Sequence, residues 1–306
     1  MNAHMENVMY METPLWRVKT NTPLHNAAMM LLHGKFGTIR NGKCAPFFPG
    51  PQPVSIERRH FDHVRQNPYV VCEKTDGVRH VLMCFKFEGK KMVLLVNRNT
   101  EFYVVSIRMQ HTDVILDGEL VKTHEGKWLY MVYDVVEPGT FPERFQLANT
   151  VISKIMRVAK DPFKVQLKTF YTMDQFSTFL DQKYPYETDG FVLTPVSESI
   201  KVGTHETMFK WKPLEQNTID FQLKKRPNSS NWGLYIQDKG VLVYECEIPH
   251  HDSYVEDQIV ECQFIKNGHS WEPIKVREDK NYPNARRTFY RTMINLRENI
   301  QVSEFM

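Results

Sequence analysis

Runs of apolar residues, separated by turn-forming residues, dominate the middle of the chain and predict strands. They cover 68–73, 79–87, 91–97, 101–107, 112–116 and 128–136, and strand signals return at 190–194 and 207–211. Apolar residues at helical spacing predict helices near 23–32, 143–160 and 173–183, the last capped by Thr172 or Asp174. A short helix capped by Ser55 is expected just before the first of these strands. Without regular strand–helix alternation, this order predicts an antiparallel-rich α+β domain over 46–218.

After residue 217 the pattern changes to short strands separated by Pro, Asn, Gly and His. Strands are expected at 219–224, 232–237, 241–248 and 258–265, with a fifth near 273–277. Short strands with polar connections suit a small β-barrel of OB-fold size. We therefore predict an N-terminal extension (1–45), a first domain (46–218) and an OB-fold domain (219–287). A last helix within 288–306 is expected to pack back on the first domain.

Composition narrows the class of protein only slightly. A net charge of +3 over 306 residues permits a polyanionic partner without requiring one. No apolar run reaches the roughly eighteen residues that a membrane span needs, and the first residues lack the pattern of a secretory signal. The five cysteines, never spaced as CxxC, favour reduced thiols in an intracellular protein.

The first stretch with candidate chemistry is EKTDGVR at 73–79. It places Lys74 between two apolar strands and just before an Asp-Gly turn. A lysine amine is a nucleophile only after it loses a proton, which partial burial and a neighbouring cation such as Arg79 favour. Taken alone, the stretch fits a hairpin with solvated charges equally well.

The other charged stretches supply carboxylates and cations. Asp117 and Glu119 lie on one face of a strand end, which suits a ribose hydroxyl or a divalent cation. Residues 187–193 repeat this pattern of acid, glycine and apolar strand. Lys210 and Lys212 lie on one face of a strand, where a nucleotide phosphate would relieve their repulsion. The run KVREDK at 275–280 is by itself typical of a solvated charge run.

Several common nucleotide and hydrolase motifs are absent from the sequence. It contains no P-loop, no GxGxxG after a strand, no GxSxG and no HExxH. Any nucleoside triphosphate is therefore expected to bind without a P-loop or a dinucleotide-type glycine loop.

Taken in order, the charged stretches resemble the motifs of covalent nucleotidyltransferases, and more narrowly of the mRNA capping guanylyltransferases. KTDGVR at 74–79 resembles the family's KxDGxR motif, and its later motifs are similar to DGE at 117–119, YMVYD at 130–134, DGFV at 189–192, MFKWKP at 208–213 and REDK at 277–280. DNA and RNA ligases share the first motifs. Capping enzymes are favoured by FPGPQPVS at 48–55, NTIDF at 217–221 and Trp271. Lys275, where many relatives carry Arg, departs from the pattern.

The resemblance implies a fold and a reaction. The fold is an ATP-grasp/ligase-like nucleotidyltransferase domain with an OB-fold lid. In the reaction, Lys74 forms a covalent lysyl-GMP from GTP, with Mg²⁺ or Mn²⁺ as cofactor, and then transfers GMP to the 5′-diphosphate end of RNA. Closure of the lid is expected to bring cations of the second domain onto the triphosphate.

The resemblance also implies the site residues. The expected catalytic residues are Lys74, Arg79, Lys210, Lys212, Arg277, Asp279 and Lys280. The expected nucleotide-binding residues are Glu73, Thr75, Arg98, Glu119, Tyr133, Lys168, Val192 and Asp220, with Glu119 and Asp189 on the metal. Within this set, Tyr133 and Val192 would sandwich the base, and Lys168 would read O6 or N7 of guanine.

Two other functions stay open: an ATP-dependent polynucleotide ligase, and an inactive homologue that holds RNA ends. The partners implied by the resemblance are an RNA triphosphatase, a cap methyltransferase or the tail of RNA polymerase II, and no membrane is among them. The expected location is the nucleus, or a cytoplasmic replication site for a viral protein.

Overall fold

The fold is described from a computed structural model, which covers residues 2–156, 158, 161–265, 270–278 and 280–306. Asp279, one of the expected catalytic residues, lies outside the described residues. The chain divides into two units. The first unit is Met1–Val54 with Val64–Lys210, and the second is Ser55–His63 with Trp211–Met306.

Between Met5 and Trp211 the chain is rich in strands and has few helices. The strands are β1 (Met5–Tyr10), β2 (Thr13–Val18), β3 (Ile39–Arg40), β4 (Lys43–Cys44), β5 (Gln52–Ser55), β6 (Tyr69–Thr75), β7 (Val78–Phe87), β8 (Lys90–Asn97), β9 (Phe102–Val104), β10 (Val114–Lys122), β11 (Trp128–Val135), β12 (Lys164–Leu167), β13 (Tyr171–Thr172), β14 (Thr188–Pro195) and β15 (Thr204–Trp211). The α-helices are α1 (Pro23–Lys35), α2 (Phe61–Gln66), α3 (Phe141–Ser153) and α4 (Phe176–Leu180), and 3-10 helices lie at Asn2–His4, Arg58–His60 and Met173–Gln175.

The larger sheet of the first unit has eight strands in the order β1-β2-β9-β8-β7-β10-β11-β12. Neighbouring strands are antiparallel except β11 and β12, which are parallel. Successive side chains of a strand point to opposite faces. Val81 and Met83 of β7 therefore pack with α1 on one face, and Leu82 packs with Ala148 and Val151 of α3 on the other. The sheet is buried on both faces, which explains the unbroken apolar runs in the sequence.

The smaller sheet has five strands in the order β13-β6-β14-β15-β5. Strands β6 and β7 thus belong to different sheets, and the turn at Asp76 and Gly77 does not close a hairpin. The turn runs so close to β10 that a Cβ on Gly77 would lie 2.4 Å from the carbonyl oxygen of Leu120. Only glycine fits there, and the close approach places the end of β6 beside β10.

The second unit contains an antiparallel sheet and a helix. Its strands are β16 (Thr218–Lys225), β17 (Trp232–Asp238), β18 (Val241–Ile248), β19 (Ile259–Ile265) and β20 (Ser270–Val276), with α5 (Arg286–Glu298) and 3-10 helices at Leu214–Gln216 and Val302–Phe305. The five strands lie in the order β18-β17-β16-β19-β20, and among the described residues their hydrogen bonds do not close a barrel. Phe289 and Leu296 of α5 pack into the core of this sheet with Phe221 and Trp232.

The two units differ from the expected domains in two places. Residues expected to form a separate extension supply β1 and β2 of the larger sheet. The last helix, expected on the first domain, contributes instead to the core of the second unit. The expected Ser55 cap was also misplaced: Ser55 ends β5, and the following 3-10 helix is capped by Glu57 in a capping box with His60.

The coarse α+β prediction is confirmed, since both units combine sheets with helices. None of the helices in the described part of the chain is long and apolar enough to cross a membrane.

A buried histidine gives the first unit a specific pH dependence. His80 of β7 accepts a hydrogen bond from the Tyr10 hydroxyl at 2.7 Å through Nε2, and its Nδ1–H donates to the Val78 carbonyl at 2.8 Å. Burial lowers the pKa of His80 from 6.5 to about 4. His80 is therefore neutral in the folded protein at pH values where the unfolded chain binds a proton.

We predict that this mismatch costs about 3 kcal/mol of unfolding free energy as the pH falls from 6.5 to 4, because the unfolded state alone gains the proton in that range. Urea unfolding at several pH values measures the slope. His80→Gln keeps a donor and an acceptor but cannot titrate. Between pH 6.5 and 4, its unfolding free energy should therefore fall by about 3 kcal/mol less than that of the wild type. Equal slopes in the two proteins would contradict the prediction.

Candidate active site

The expected nucleophile lies at the end of β6, beside the start of β14. Lys74 Nζ donates a hydrogen bond to Asp189 Oδ1 at 2.7 Å. The side chains are 23% and 12% exposed, so the amine is held in place and still reaches solvent. The two strands pair antiparallel, with a register shift between Thr188 and Phe191 that lies beside Asp189. Such irregularities re-aim side chains next to functional sites.

The next residue, Thr75, links β6 to the larger sheet. Its hydroxyl donates a hydrogen bond to Glu119 Oε2 on β10. Burial raises the pKa of Glu119, and the opposing effects of Lys168, Thr75 and Lys74 only partly offset it. A further positive charge beside Glu119 would therefore stabilise its ionised form.

Arg79, on β7, is held by a buried carboxylate. Its Nε and Nη2 donate to the two oxygens of Asp117 at 3.1 and 2.6 Å, in the bidentate geometry of a strong ion pair. The Tyr133 hydroxyl donates to the same carboxylate at 2.8 Å. Although burial alone lowers the pKa of Arg79, Asp117 raises it above its usual value. The guanidinium is therefore a permanent, fixed cation.

The segment before β5 completes the surroundings of Arg79. Nη1 of the arginine donates to the carbonyl oxygen of Pro51, and its Cζ lies 5.2 Å from the centre of the Phe48 ring. A Cβ on Gly50 would lie 2.5 Å from Arg79 Nη2, so a larger residue there would have to displace the guanidinium. The proline-rich stretch therefore serves as a wall of the site.

A second buried cation lies near Tyr133. Lys168 Nζ is 6.0 Å from the centre of the Tyr133 ring, and Arg79 Cζ is 5.9 Å from it. Lys168 also forms an ion pair with Glu73 at 3.3 Å. Burial raises the pKa of Tyr133 well above its usual value, so its hydroxyl remains a donor. Both fixed cations thus lie within about 6 Å of the centre of this ring.

Two further expected residues belong to the same unit. Arg98 follows β8 and its pKa is lowered by burial and by Arg79, which places the two cations within electrostatic range. Val192 is half-buried on β14, where its Cα pairs with that of Cys72 on the strand of the nucleophile.

The remaining expected residues are divided between the units. Lys210 is half-buried on β15 in the first unit, and Lys212 follows that strand in the second. In the second unit, Asp220 accepts hydrogen bonds from Arg277 at 3.1 Å and from Lys280. Asn284 pairs with the backbone of Asp220 at 2.8 and 2.9 Å, which fixes the position of this acid.

The carboxylates fit a divalent cation only in part. No group of three or more His, Cys, Asp or Glu side chains in the described ranges is arranged to hold a metal ion. Magnesium in nucleotide enzymes commonly takes one or two carboxylates together with substrate phosphates. Glu119 and Asp189, which both lie beside Lys74, suit that kind of shared site.

Sequence reasoning missed two parts of this arrangement: the Pro51 carbonyl and Tyr186, whose hydroxyl donates to Glu73 at 3.1 Å. Asp117 was considered for a ribose hydroxyl or a cation, but its pairing with Arg79 was not foreseen. The Pro51 carbonyl and Tyr186 had no signal, since a backbone carbonyl and a distant tyrosine carry no recognisable spacing.

Comparison with known proteins identifies the family. The family described as "mRNA capping enzyme, catalytic domain" matches residues 25–214, and "mRNA capping enzyme, C-terminal domain" matches residues 216–306. The chain belongs to the mRNA capping enzyme family. The resemblance predicted from the sequence motifs is therefore confirmed, and the residues around Lys74 lie within the part that matches the catalytic domain.

Individual capping-family relatives extend over most of the chain. An mRNA-capping enzyme of Danio rerio is 28% identical over 298 residues, covering 82% of this chain and 48% of that protein. The mRNA-capping enzyme subunit alpha of Schizosaccharomyces pombe is 30% identical over 214 residues, covering 58% of this chain and 53% of that protein. The chain thus spans about half the length of these capping-family relatives.

Solved structures of ligases are more distant. A mycobacterial DNA ligase D complexed with ATP and MES covers 76% of this chain and 95% of its own, with 11% identity and a TM-score of 0.42. A structural similarity this weak does not indicate the function of the capping-family chain.

We predict that Asp117→Asn destabilises the folded protein by about 3 to 5 kcal/mol, because it leaves the buried Arg79 without its charge partner. Urea unfolding measures the change. The control is Glu125→Gln, which breaks the exposed pair of Glu125 and Lys127, 75% and 76% exposed, and should leave stability as in the wild type. Equal effects of the two substitutions would contradict the assignment.

Proposed function

We propose that this chain is a GTP:RNA guanylyltransferase, the nucleotidyltransferase that makes the GpppN cap of mRNA. The observation that carries the proposal is the partly exposed Lys74 amine, held at 2.7 Å by Asp189 at the centre of the capping-family motifs. Family membership supports the reaction class. Because the chain spans about half of its relatives, the substrates are part of the proposal.

In the first step, Lys74 gives up a proton to the surrounding water, and its neutral amine attacks the α-phosphorus of GTP. The N–P bond forms as the bond to the β-phosphate oxygen breaks, the nitrogen releases its second proton, and pyrophosphate leaves with the electron pair. In the second step, a terminal oxygen of the 5′-diphosphate RNA attacks the same phosphorus. The N–P bond then breaks as the nitrogen takes up a proton from water, which frees Lys74 and completes the cap.

Phosphoryl transfer of this kind depends on neutralising charge more than on general acids. We assign the α-phosphate to the surroundings of Lys74 and Lys210. A divalent cation, Mg²⁺ or Mn²⁺, would be held by Glu119 and Asp189 together with the phosphates, and would supply further neutralisation of phosphate charge. The raised pKa of Glu119 is consistent with this role, because a bound cation stabilises the carboxylate.

The nucleoside is assigned to the larger sheet. Arg79, Arg98 and Glu119 are proposed to hold the ribose and nearby phosphate, and Tyr133 and Val192 to enclose the base. Lys168 is proposed to donate to O6 or N7 of guanine in place of its hydrogen bond to the Thr75 hydroxyl, and at the O6 position adenine instead offers an amino donor. The fixed ammonium of Lys168 supports this assignment.

We further propose that the second unit is an OB-like lid. An OB-fold is a five-stranded, partly open barrel, and the open five-stranded sheet with its helix is compatible with it. Arg277, Lys280 and Lys212 would neutralise the β- and γ-phosphates when the lid closes, and opening would release pyrophosphate. Asp220 and Asp279 are assigned to the pyrophosphate or metal side. An ATP-grasp description of the first unit is likewise a proposal.

The cellular setting stays a prediction. An RNA triphosphatase, a cap methyltransferase or the RNA polymerase II tail would act with this chain, in the nucleus or, for a virus, at a cytoplasmic replication site.

The proposal predicts that protein incubated with Mg²⁺ or Mn²⁺ and α-³²P-labelled nucleotide becomes labelled from GTP and not from ATP. The label, read after denaturing electrophoresis, should be acid-labile and alkali-stable, as a phosphoramidate is. Lys74→Ala should abolish it, whereas Lys86→Ala, an exposed lysine on β7, should label as the wild type.

The two alternatives are outcomes of the same experiment. Label from ATP alone would assign the chain to the ligases. Well-folded protein that labels from neither nucleotide would favour the inactive RNA-end-binding homologue.

The lid assignment predicts that Arg277→Ala slows formation of the lysyl adduct at least about a hundredfold, since a cation at the leaving pyrophosphate is lost. Rapid-quench kinetics with labelled GTP measure the rate. Arg226→Ala serves as the matched control, because Arg226 forms a surface pair with Glu247 in the same unit. A wild-type rate for Arg277→Ala would refute the lid role of this arginine.

A further inference from the structure

A buried charge pair lies directly behind the strand of the nucleophile. Glu73 and Lys168 are 3.3 Å apart, and their side chains are 2% and 3% exposed. Lys168 Nζ also donates to the Glu73 carbonyl at 2.8 Å and to the Thr75 hydroxyl at 3.2 Å. An ammonium has three N–H donors, so the two directed at Glu73 fix its orientation, and the third, on the Thr75 hydroxyl, can be exchanged for an acceptor of a bound ligand.

The carboxylate of Glu73 is fixed in turn by a tyrosine. The Tyr186 hydroxyl donates to Glu73 Oε1 at 3.1 Å. The ring of Tyr186 packs in a small apolar cluster with Val121 and Met131, and it stacks on Tyr184 with centroids 5.7 Å apart. Tyr186 therefore has little freedom to move, and it determines where Glu73, and through it Lys168, can lie.

Neither Glu73 nor Tyr186 is placed to touch the reacting atoms. Side chains alternate along β6, so Glu73 points to the face opposite Lys74, and Tyr186 lies behind Glu73. Removing two charges from water is unfavourable unless the geometry compensates, so such pairs are weak evidence for a stabilising role. Although burial alone lowers the pKa of Lys168, acidic neighbours that include Glu73 and Glu119 raise it. The pair thus keeps a charged donor beside Thr75.

We propose that Glu73 and Tyr186 are positioning residues for base selectivity. They hold the Lys168 ammonium so that its third N–H donor, now on the Thr75 hydroxyl, can meet a purine that offers an acceptor at C6. The inference rests on the proposed function, and it adds to it two residues that act through Lys168. Guanine offers O6 at that position, whereas adenine offers an amino group that would face the ammonium donor to donor.

The test compares Tyr186→Phe with Tyr184→Phe. Each substitution removes one hydroxyl and keeps the ring, but the Tyr184 hydroxyl is buried with no hydrogen-bond partner among the described residues. The kinetics of lysyl-nucleotide formation are measured with GTP and with 2-aminopurine riboside triphosphate, a purine that keeps the amino group at C2 and lacks the oxygen at C6.

For Tyr186→Phe we expect KM for GTP to rise about tenfold with kcat within twofold of the wild type. KM for 2-aminopurine riboside triphosphate should not change, because that base has no C6 acceptor to lose. The preference for GTP over the analogue therefore falls about tenfold, and Tyr184→Phe keeps the wild-type preference. Glu73→Gln, which retains an acceptor and removes the charge, should reduce the preference in the same direction.

Each other outcome overturns the inference. A Tyr186→Phe protein with the wild-type preference, or with equal losses for GTP and the analogue, shows that the tyrosine has no role or only a structural one. If Tyr186→Phe does not fold, Glu73→Gln is measured in its place with the same criteria. Wild-type protein that forms no GTP adduct refutes the proposed function and this inference with it, whereas a normal wild-type adduct with unchanged selectivity in the variants refutes this inference alone.

Discussion

Strands β6 and β7 are adjacent in the sequence and belong to different sheets, and the short turn between them must pass against β10. Gly77 makes this possible, since any side chain there would collide with the Leu120 carbonyl. The rest of the site depends on this close approach. It places Lys74 and Thr75 at the end of one sheet within reach of Glu119 on the other.

The charges of the first unit follow from that arrangement. Lys74 is paired with Asp189, Arg79 with Asp117, and Lys168 with Glu73. The pairs differ in exposure: the first reaches solvent, whereas Asp117 and Glu73 are almost fully buried. Buried pairs fix the position of a cation, whereas the partly exposed pair leaves the Lys74 amine within reach of solvent, as the proposed attack on a nucleotide requires. The site therefore combines two fixed cations with one partly exposed amine.

Much of the fold could be predicted from the sequence wherever apolar residues recur regularly. The central strands β7, β8 and β11 were expected within one residue, because their apolar runs are buried on both faces. The hairpin of β1 and β2 was missed because it lies at the sheet edge, where the alternation is weak and Pro14 interrupts it. The location of α5 could not be deduced either, since an amphipathic helix does not specify which core it joins.

The candidate site residues were predicted from their motifs, but the pairs that they form in the structure were not. Arg79 and Asp117 are 38 positions apart, and Tyr186 and Glu73 are 113 apart, so the sequence gives no indication that they meet. Only the fold brings them together. The positioning role of Glu73, which the sequence grouped with nucleotide-binding residues, likewise depends on which face of β6 it occupies.

The central claim is that Lys74 carries the nucleotide between the two half-reactions. The most direct measurement is peptide mapping by mass spectrometry after incubation with GTP and a divalent cation, repeated after addition of 5′-diphosphate RNA. We predict one guanylyl group on the peptide that contains Lys74, and its loss to the RNA in the second sample. A guanylyl group on any other side chain, or an adduct at Lys74 that RNA does not remove, would contradict the account.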